Sequence, residues 1–232
     1  MWHIIKILVK KLFAKFGFQV KRIPTGVPNP IHLWDTDEAF ISLLKQVRGH
    51  AVVGRRGCFM LYQLVRHAIS IDGDIAEIGV YKGGTAKLIA KIAAGTTKTV
   101  HIFDTFSGMP PTDITKDLHK EGDFSGASLE EVKKYLEDCG NVRFYPGFFP
   151  STAGDIRNMQ FCFVHIDVDI YKSVADCCEF FYPRMVKGGI MVFDDYGSVT
   201  CPGAKMAIDE FFADKPEYPC YLLTGESLVI KL

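Results

Sequence analysis

This 232-residue sequence has no excess of positive or negative charge, because its 27 Lys and Arg residues balance its 27 Asp and Glu residues. Proteins that bind nucleic acid usually carry a basic excess, so we expect no nucleic-acid partner. Long apolar runs are absent too, since no stretch reaches the roughly 18 to 20 residues that a membrane-spanning helix needs. With 48% hydrophobic and 23% charged residues, the composition is that of an ordinary globular protein.

Cysteine pairs with the Cys-x-x-Cys spacing are also missing. The seven cysteines are scattered, and several lie inside apolar runs: Cys58, Cys139, Cys162, Cys177, Cys178, Cys201 and Cys220. A disulfide scaffold or a zinc site typically shows closely spaced pairs. We therefore expect buried, reduced thiols in a cytoplasmic protein.

Residues 1–24 lack the uninterrupted apolar core of a signal peptide, because lysines recur through them. Their period instead predicts an amphipathic helix. Its apolar face comprises Trp2, Ile5, Leu8, Val9, Leu12, Phe13 and Phe16, and its basic face comprises Lys6, Lys10, Lys11 and Lys15. Two interpretations stay open: the helix packs on the domain or on a partner subunit, or residues 1–20 lie on an anionic membrane surface. In the second case the cytoplasmic protein is associated with the membrane at its surface.

Two further parts follow a segment with three prolines between residues 24 and 30. Residues 25–70 show helical periodicity and are the predicted extension that caps the acceptor pocket. Residues 71–232 alternate strands with helices, which indicates a mostly parallel α/β sheet with helices on both faces. The predicted strands are 74–80, 99–104, 142–149, 161–167 and 188–195, followed by a C-terminal hairpin around Gly225.

Polar residues stand where the predicted strands end. They are Glu77, Asp104, Gly147, Asp167 and the adjacent pair Asp194 and Asp195. In parallel sheets, ligands bind beyond the carboxyl ends of the strands. Residues 105–127 form a long polar segment rich in Gly and Pro, and loops of that length are usually lids or binding loops. The predicted site is therefore this edge of the sheet.

The first strand-to-helix turn, EIGVYKGGTA, contains Gly79, Gly83 and Gly84. Glycine lets the backbone approach a ligand closely and adopt positive φ. The turn differs from the dinucleotide fingerprint G-x-G-x-x-G, because Tyr81 takes a glycine position, and it lacks the lysine of a P-loop. Asp104 ends the next strand, where a carboxylate can accept both hydroxyls of a ribose. The alternative is that the glycines only form a turn and Asp104 only caps a helix.

Five blocks resemble, in order and spacing, the macrocin O-methyltransferase family: AEIGVYKGGTA, FDTFSGMP, YPGFF, HIDVDIYKS, and GGIMVFDDYG followed by GAKMAIDEF. The resemblance covers about residues 72 to 213. It implies a Rossmann-like class I S-adenosylmethionine-dependent methyltransferase, with a mostly parallel seven-stranded sheet and a C-terminal antiparallel hairpin. Family members methylate sugar hydroxyls of natural products and bind magnesium. The implied partners are a sugar-bearing small-molecule acceptor and further copies of the chain in a homo-oligomer.

The resemblance also assigns candidate cofactor contacts. Glu77 and Gly79 would line the methionine end, Asp104 would hold the ribose with Thr105 and Phe106 beside it, and Gly147 and Phe148 would lie near the adenine. The other candidates are Tyr81, Gly83, Gly84, Ser128 and Asp167. The sequence departs from the family in four places: the family usually has Trp at Tyr81, Arg at His165 and Gly at Val168, and it often has an acidic residue after the third strand, where this chain has Pro150 and Ser151. The resemblance therefore does not extend to the residues of the acceptor pocket.

Three carboxylates from two strand ends, Asp167, Asp194 and Asp195, suit Mg²⁺, which prefers oxygen ligands. A dication would also compensate charges that otherwise repel one another. Asp169 lies two residues beyond Asp167, on the same side of an extended chain, and by resemblance it is the candidate general base. The alternative is that these aspartates cap the helices that follow. His165 is predicted to be a hydrogen-bonded wall residue rather than a catalyst.

Three other functions stay open. A catechol-type O-methyltransferase uses a similar magnesium site and would act on a phenolic acceptor. The sequence Asp167-Val168-Asp169 also resembles the D-x-D of metal-dependent nucleotide-sugar glycosyltransferases, although that function leaves the glycine turn and Asp104 unexplained. A module that binds S-adenosylmethionine without turnover would have no need for four aspartates at the strand ends.

Overall fold

The computed structural model describes residues 2–17 and 32–232. The chain forms two compact units, residues 1–33 and residues 34–232. The first unit contains helix α1 (Trp2–Ala14), which confirms the helix predicted from the lysine period. The predicted boundary at residue 24 lies outside the described residues.

The second unit is built on a seven-stranded sheet. Its strands are β1 (Asp74–Ile78), β2 (Val100–Asp104), β3 (Val142–Pro146), β4 (Phe161–Ile166), β5 (Met185–Phe193), β6 (Cys220–Tyr221) and β7 (Ser227–Ile230). The order is β3-β2-β1-β4-β5-β7-β6, with β1 to β5 parallel and β7 antiparallel to both of its neighbours. The predicted fold class and the C-terminal hairpin are confirmed.

Helices cover the sheet on both faces. They are α2 (Leu33–Thr36), α3 (Glu38–Val47), α4 (Arg55–Ala68), α5 (Gly84–Ala93), α6 (Leu129–Tyr135), α7 (Tyr171–Phe181) and α8 (Pro202–Phe212), with 3-10 turns at Gly154–Ile156 and Tyr182–Arg184. The predicted capping box of Ser128 and Glu131 is present at α6. The helix ends at Tyr135, five residues before the predicted stop at Gly140, because the backbone N–H groups of Glu137 and Cys139 donate to carbonyls three residues back rather than four. The Tyr135 carbonyl accepts from Lys87 Nζ.

Two hydrophobic cores lie on opposite faces of the sheet, because alternate residues of each strand point to opposite sides. In β4, Phe163 belongs to the core shared with α3, α4 and α5, and Val164 belongs to the core shared with α7 and α8. All six residues of β4 are buried, as expected for a central parallel strand. Since α3 and α4 share the first core, residues 34–70 belong to the same compact unit as the sheet, and the boundary predicted at residue 70 falls within it.

Candidate active site

Backbone hydrogen bonds continue past the strand ends and align them side by side. In each of these bonds a backbone N–H donates to a carbonyl of the neighbouring strand. Gly147 donates to Asp104, Gly79 to Phe103 and Asp167 to Ile78, each at 2.9 Å, and Asp194 donates to Ile166 at 3.0 Å. The polar residues that follow five different strands are therefore held in one row. This row is the floor of a cavity of about 750 Å³, a volume typical of small-molecule sites.

Ten of the fifteen predicted site residues line this cavity: Gly79, Tyr81, Asp104, Thr105, Gly147, Phe148, Asp167, Asp169, Asp194 and Asp195. They come from segments up to 116 residues apart in the sequence, between Gly79 and Asp195. The sheet alone brings them together, as the parallel topology requires.

The other five predicted residues are not among those that line the cavity: Glu77, Gly83, Gly84, Phe106 and Ser128. Glu77 is fully buried against His165, and Ser128 caps α6. Gly84 serves packing, because a Cβ there would lie 2.1 Å from the backbone nitrogen of Ala51. For these residues, direct cofactor contact stays a prediction that the lining of the cavity does not support.

The glycine turn after β1 requires Gly79 for a steric reason. Its φ is +85°, and a Cβ at this position would lie 1.7 Å from the carbonyl oxygen of Asp167. No side chain fits between β1 and β4 at this point, so the turn can pass directly over the end of β4. The chain then continues through Tyr81, which also has positive φ, at 48°. Such conformations in residues other than glycine concentrate at functional sites.

Asp104 is fixed at the end of β2 by three backbone amides. Its Oδ2 accepts from the N–H groups of Val80 at 2.7 Å and Tyr81 at 2.8 Å, and its Oδ1 accepts from Phe106 at 2.7 Å. The carboxylate therefore ties the glycine turn to the second strand and also lines the cavity. Helix capping alone does not describe this arrangement, because two of the three amides belong to a different turn.

The carboxylates of Asp167, Asp194 and Asp195 offer three oxygen atoms that all lie within 4.8 Å of one another. Burial, followed by repulsion from Asp194 and Asp195, raises the pKa of Asp167 well above its usual range. Burial, with repulsion from Asp169 and Asp194, raises the pKa of Asp195 to about 8. Three crowded carboxyl groups, in two of which the pKa is raised, are an oxygen donor set that a hard divalent cation would neutralise, so the residues present fit Mg²⁺.

Asp169 departs from the predicted geometry. The chain is not extended there: β4 ends at Ile166, and Asp169 has a φ of +60°. The physical reason is that its backbone N–H turns to donate to Asp195 Oδ2 at 2.9 Å, which closes the loop over the end of β5. Its own carboxylate faces another group, with Oδ1 at 3.7 Å from His119 Nε2 and 3.5 Å from Cys201 Sγ. Burial raises the pKa of Asp169.

Several residues that the motifs do not single out also line the cavity. His119 belongs to the 105–127 loop, and its Nδ1 lies 3.1 Å from Asp123 Oδ2 while its Nε2 faces Asp169. The segment 50–57 and Glu226, in the hairpin turn, line the cavity as well. The length and polarity of the loop were the signal for His119. The other two segments carry no local signal, because only the fold brings them to the strand ends.

The sheet order and the cavity at its carboxyl edge define a class I O-methyltransferase fold. The macrocin-O-methyltransferase (TylF) family model matches residues 44–216. The chain therefore belongs to this family, and the prediction of an O-methyltransferase is confirmed at that level.

Two characterised relatives are similar to the chain over about two thirds of their length. The 8-demethyl-8-(2,3-dimethoxy-alpha-L-rhamnosyl)-tetracenomycin-C 4'-O-methyltransferase of Streptomyces olivaceus is 29% identical over 67% of this chain and 66% of its own. The demethyldecarbamoylnovobiocin O-methyltransferase of Streptomyces niveus is 30% identical over 71% of this chain and 68% of its own.

Solved structures agree with this relationship. The O-methyltransferase NovP superposes with a TM-score of 0.69 and 27% identity, over 78% of this chain and 82% of its own. An O-methyltransferase from Bacillus cereus, solved in complex with SAH, superposes with a TM-score of 0.53 and 15% identity over 97% of both chains. At that identity the second likeness shows the fold alone.

Proposed function

We propose that the protein transfers a methyl group from S-adenosylmethionine to a hydroxyl of a sugar or glycosylated small molecule, and that it requires Mg²⁺. One observation carries this proposal: Asp104 and the carboxylates of Asp167, Asp194 and Asp195 line the same cavity. The proposed ribose site and the proposed cation site thus line one cavity, as a methyl donor and a hydroxyl acceptor must.

At the cofactor end, Asp104 is the proposed ligand of the ribose hydroxyls, because it lines the cavity at the carboxyl end of β2. The turn at Gly79 would carry the methionine part, and Gly147 and Phe148 after β3 would flank the adenine. The strand order supports this assignment: β3, β2 and β1 are successive neighbours, so the proposed adenine, ribose and methionine contacts follow one another along the sheet edge as those groups do in the cofactor. S-adenosylmethionine would supply the electrophilic sulfonium methyl group.

At the acceptor end, Asp167, Asp194 and Asp195 would hold Mg²⁺. The bound ion would act as a Lewis acid that lowers the pKa of an acceptor hydroxyl. Asp169 is the proposed general base, which takes the hydroxyl proton as the oxygen bonds to the methyl carbon; the methyl–sulfur bond breaks in the same step, its electron pair stays on sulfur, and S-adenosylhomocysteine leaves. Its carboxylate lines the cavity and is contacted by His119 Nε2 and Cys201 Sγ, and it is not one of the three proposed metal ligands. It would therefore remain available to accept a proton.

A sugar acceptor is favoured over a catechol by the relatives, one of which is named for a rhamnosyl substrate. We place the reaction in the cytoplasm, because six of the seven cysteines are buried as free thiols. The homo-oligomer and the contact of residues 1–20 with a membrane belong to this proposal as expectations.

The test is transfer of a labelled methyl group to three acceptor classes: a nucleotide-diphosphate deoxysugar, an aryl glycoside and a catechol. We expect product with a sugar acceptor, loss of product with EDTA and recovery with Mg²⁺. Transfer to the catechol alone, or transfer that EDTA leaves unchanged, would contradict the acceptor class or the metal requirement, respectively.

Asp169→Asn is the matched inactive control. We expect it to lose about 10² to 10⁴ in turnover, as for removal of a general base, and to keep calorimetric binding of S-adenosylmethionine. An undiminished rate would remove Asp169 as the base and leave the rest of the proposal standing.

A further inference from the structure

The charges of this neutral chain are unevenly divided along the sequence. Residues 1–34 contain six basic residues and no acidic one, and the first carboxylate is Asp35. Residues 35–232 accordingly hold 21 basic residues against 27 acidic ones. The N-terminal segment is thus attracted to an anionic surface that the rest of the chain would avoid.

Helix α1 carries its lysines on one side and most of its exposed apolar side chains on the other, with Ile7, 44% exposed, among the lysines. At 100° per residue, Ile5, Val9 and Leu12 fall within one narrow arc, and Phe16 follows in the turn beyond the end of the helix at Ala14. Ile5, Leu12 and Phe16 are 48%, 56% and 72% exposed. The four lysines of the helical segment, Lys6, Lys10, Lys11 and Lys15, are exposed on the opposite side.

We propose that α1 binds anionic membrane surfaces, lying parallel to the bilayer with its apolar arc among the acyl chains and its lysines at the headgroups. The helix has 13 residues, and among the described parts of the chain no helix has both the length and the apolar character needed to cross a bilayer. A surface position is the one that an amphipathic basic helix of this length occupies.

A second copy of the chain fits this face less well. A helix of 13 residues is about 20 Å long, so a pair of them buries little of the roughly 1,000 Å² that a stable interface needs. Pairing would also bring together two segments that each carry six positive charges and no negative one. Anionic lipid removes both difficulties, because it supplies the opposite charge and an apolar phase.

The experiment is flotation of the full chain with vesicles of phosphatidylcholine, alone or mixed with phosphatidylglycerol. We expect recovery at least about tenfold higher with the anionic vesicles, falling with added salt because screening weakens contacts between exposed charges. Equal recovery from both vesicle types, or none from either, would overturn the proposal. Flotation is independent of methyl transfer, so this outcome says nothing about the proposed enzyme activity.

A pair of variants separates the apolar contribution from the electrostatic one. Leu12→Glu and Ala14→Glu make the same charge change, but position 12 lies in the apolar arc and position 14 among the lysines. We expect Leu12→Glu to abolish flotation and Ala14→Glu to reduce it only modestly. Equal effects would point to simple polyanion binding. A change in sedimentation coefficient for Leu12→Glu, without vesicle binding by the unmodified chain, would assign the face to a second copy instead.

Discussion

His165 Nδ1 lies 2.9 Å from Glu77 Oε1, and neither side chain is exposed to solvent. The two residues are neighbours in register on β1 and β4. On its other side, His165 Nε2 lies 3.9 Å from Asp194 Oδ1. The imidazole thus stands between a buried glutamate and the acidic cluster of Asp167, Asp194 and Asp195. The prediction that His165 is hydrogen-bonded within the strand is confirmed.

Glu77 and His165 should depend strongly on each other in their contributions to the free energy of unfolding. Burial by itself lowers the pKa of His165, and the carboxylates of Asp194 and Glu77 outweigh it and raise the pKa well above the usual value. Glu77→Gln and His165→Gln should each lower the free energy of unfolding by about 3 kcal/mol, because each leaves a partner buried alone. The double variant should lose less than the sum of the two. Additive losses in denaturant titrations would show that the pair does not interact.

The same pair has a pH signature with a definite sign. Because the folded pKa of His165 lies above the unfolded value of about 6.5, its stabilisation is complete below that pH and is lost as the pH rises through the folded pKa. The difference in stability between the unmodified protein and His165→Gln should therefore shrink with increasing pH. A difference that grows with pH would contradict a protonated His165.

The acidic cluster should make the metal-free protein less stable as the pH rises. The pKa of Asp195 is about 8 in the folded chain, against an ordinary 3.8. Between these values the folded state holds more protons than the unfolded state, so stability falls with pH, by at most about 1.4 kcal/mol per unit for one group. Mg²⁺ should therefore raise the Tm more at pH 8 than at pH 5.

Asp195→Asn tests whether the acidic cluster causes this pH dependence and the Mg²⁺ effect. It removes one of the three charges and keeps the shape of the side chain, so the pH dependence of the metal-free Tm should flatten and the Mg²⁺ shift should diminish. If the variant has the same change of Tm with pH and the same Tm increase with Mg²⁺ as the unmodified protein, both effects arise from other groups.

Asp104 should govern cofactor affinity. Asp104→Ala should weaken S-adenosylmethionine binding by about 1.5 to 3 kcal/mol, as expected for lost hydrogen bonds to a charged group. Because Asp104 also accepts the amides of Val80, Tyr81 and Phe106, its Tm must be measured alongside. Asp104→Asn keeps one acceptor oxygen, which can serve the amides of Val80 and Tyr81 but not also that of Phe106, and is the milder variant. The exposed Asp155 gives a control, Asp155→Ala, in which calorimetry should find no change.

The sheet and the row of polar strand ends were predictable because their signals are local. Each central strand is a short apolar run bounded by Gly or Asp, and alternation with helices dictates a parallel sheet whose carboxyl ends share one edge. Asp104, Asp167 and Asp194 follow directly from that rule. Gly79 follows in the same way, since the close crossing over Asp167 excludes any side chain.

The departures have tertiary causes. The conformation of Asp169 depends on its hydrogen bond to Asp195, 26 residues further along the chain, so a pattern that treats residues 167–169 as extended could not show it. Glu77 was predicted to line the methionine end of the cofactor, and that contact stays a prediction; what the motif could not show is that the register of β1 and β4 brings Glu77 against His165. His119 reaches Asp169 through the path of a long loop, which no periodicity describes.

Glu217, near the C-terminus of the chain, should make a separate contribution to how the free energy of unfolding depends on acid pH. Its side chain is 5% exposed. Burial alone would raise its pKa, but hydrogen bonds from Lys231, Tyr182 and the backbone N–H of Leu232 outweigh it and lower the pKa to about 2. A depressed carboxylate pKa stabilises the folded state above the unfolded value of about 4.3 and loses that effect as the pH falls towards 2. Glu217→Gln should therefore cost on the order of 2 kcal/mol at pH 7.

That cost should diminish between pH 4.5 and pH 3 in denaturant titrations, because protonation then removes the same charge from the unmodified protein. Glu130→Gln makes the same chemical change at an exposed position on α6 and should alter stability by less than about 0.5 kcal/mol at either pH. A Glu217→Gln cost that stays constant with pH would show that the side chain contributes by packing rather than through its charge.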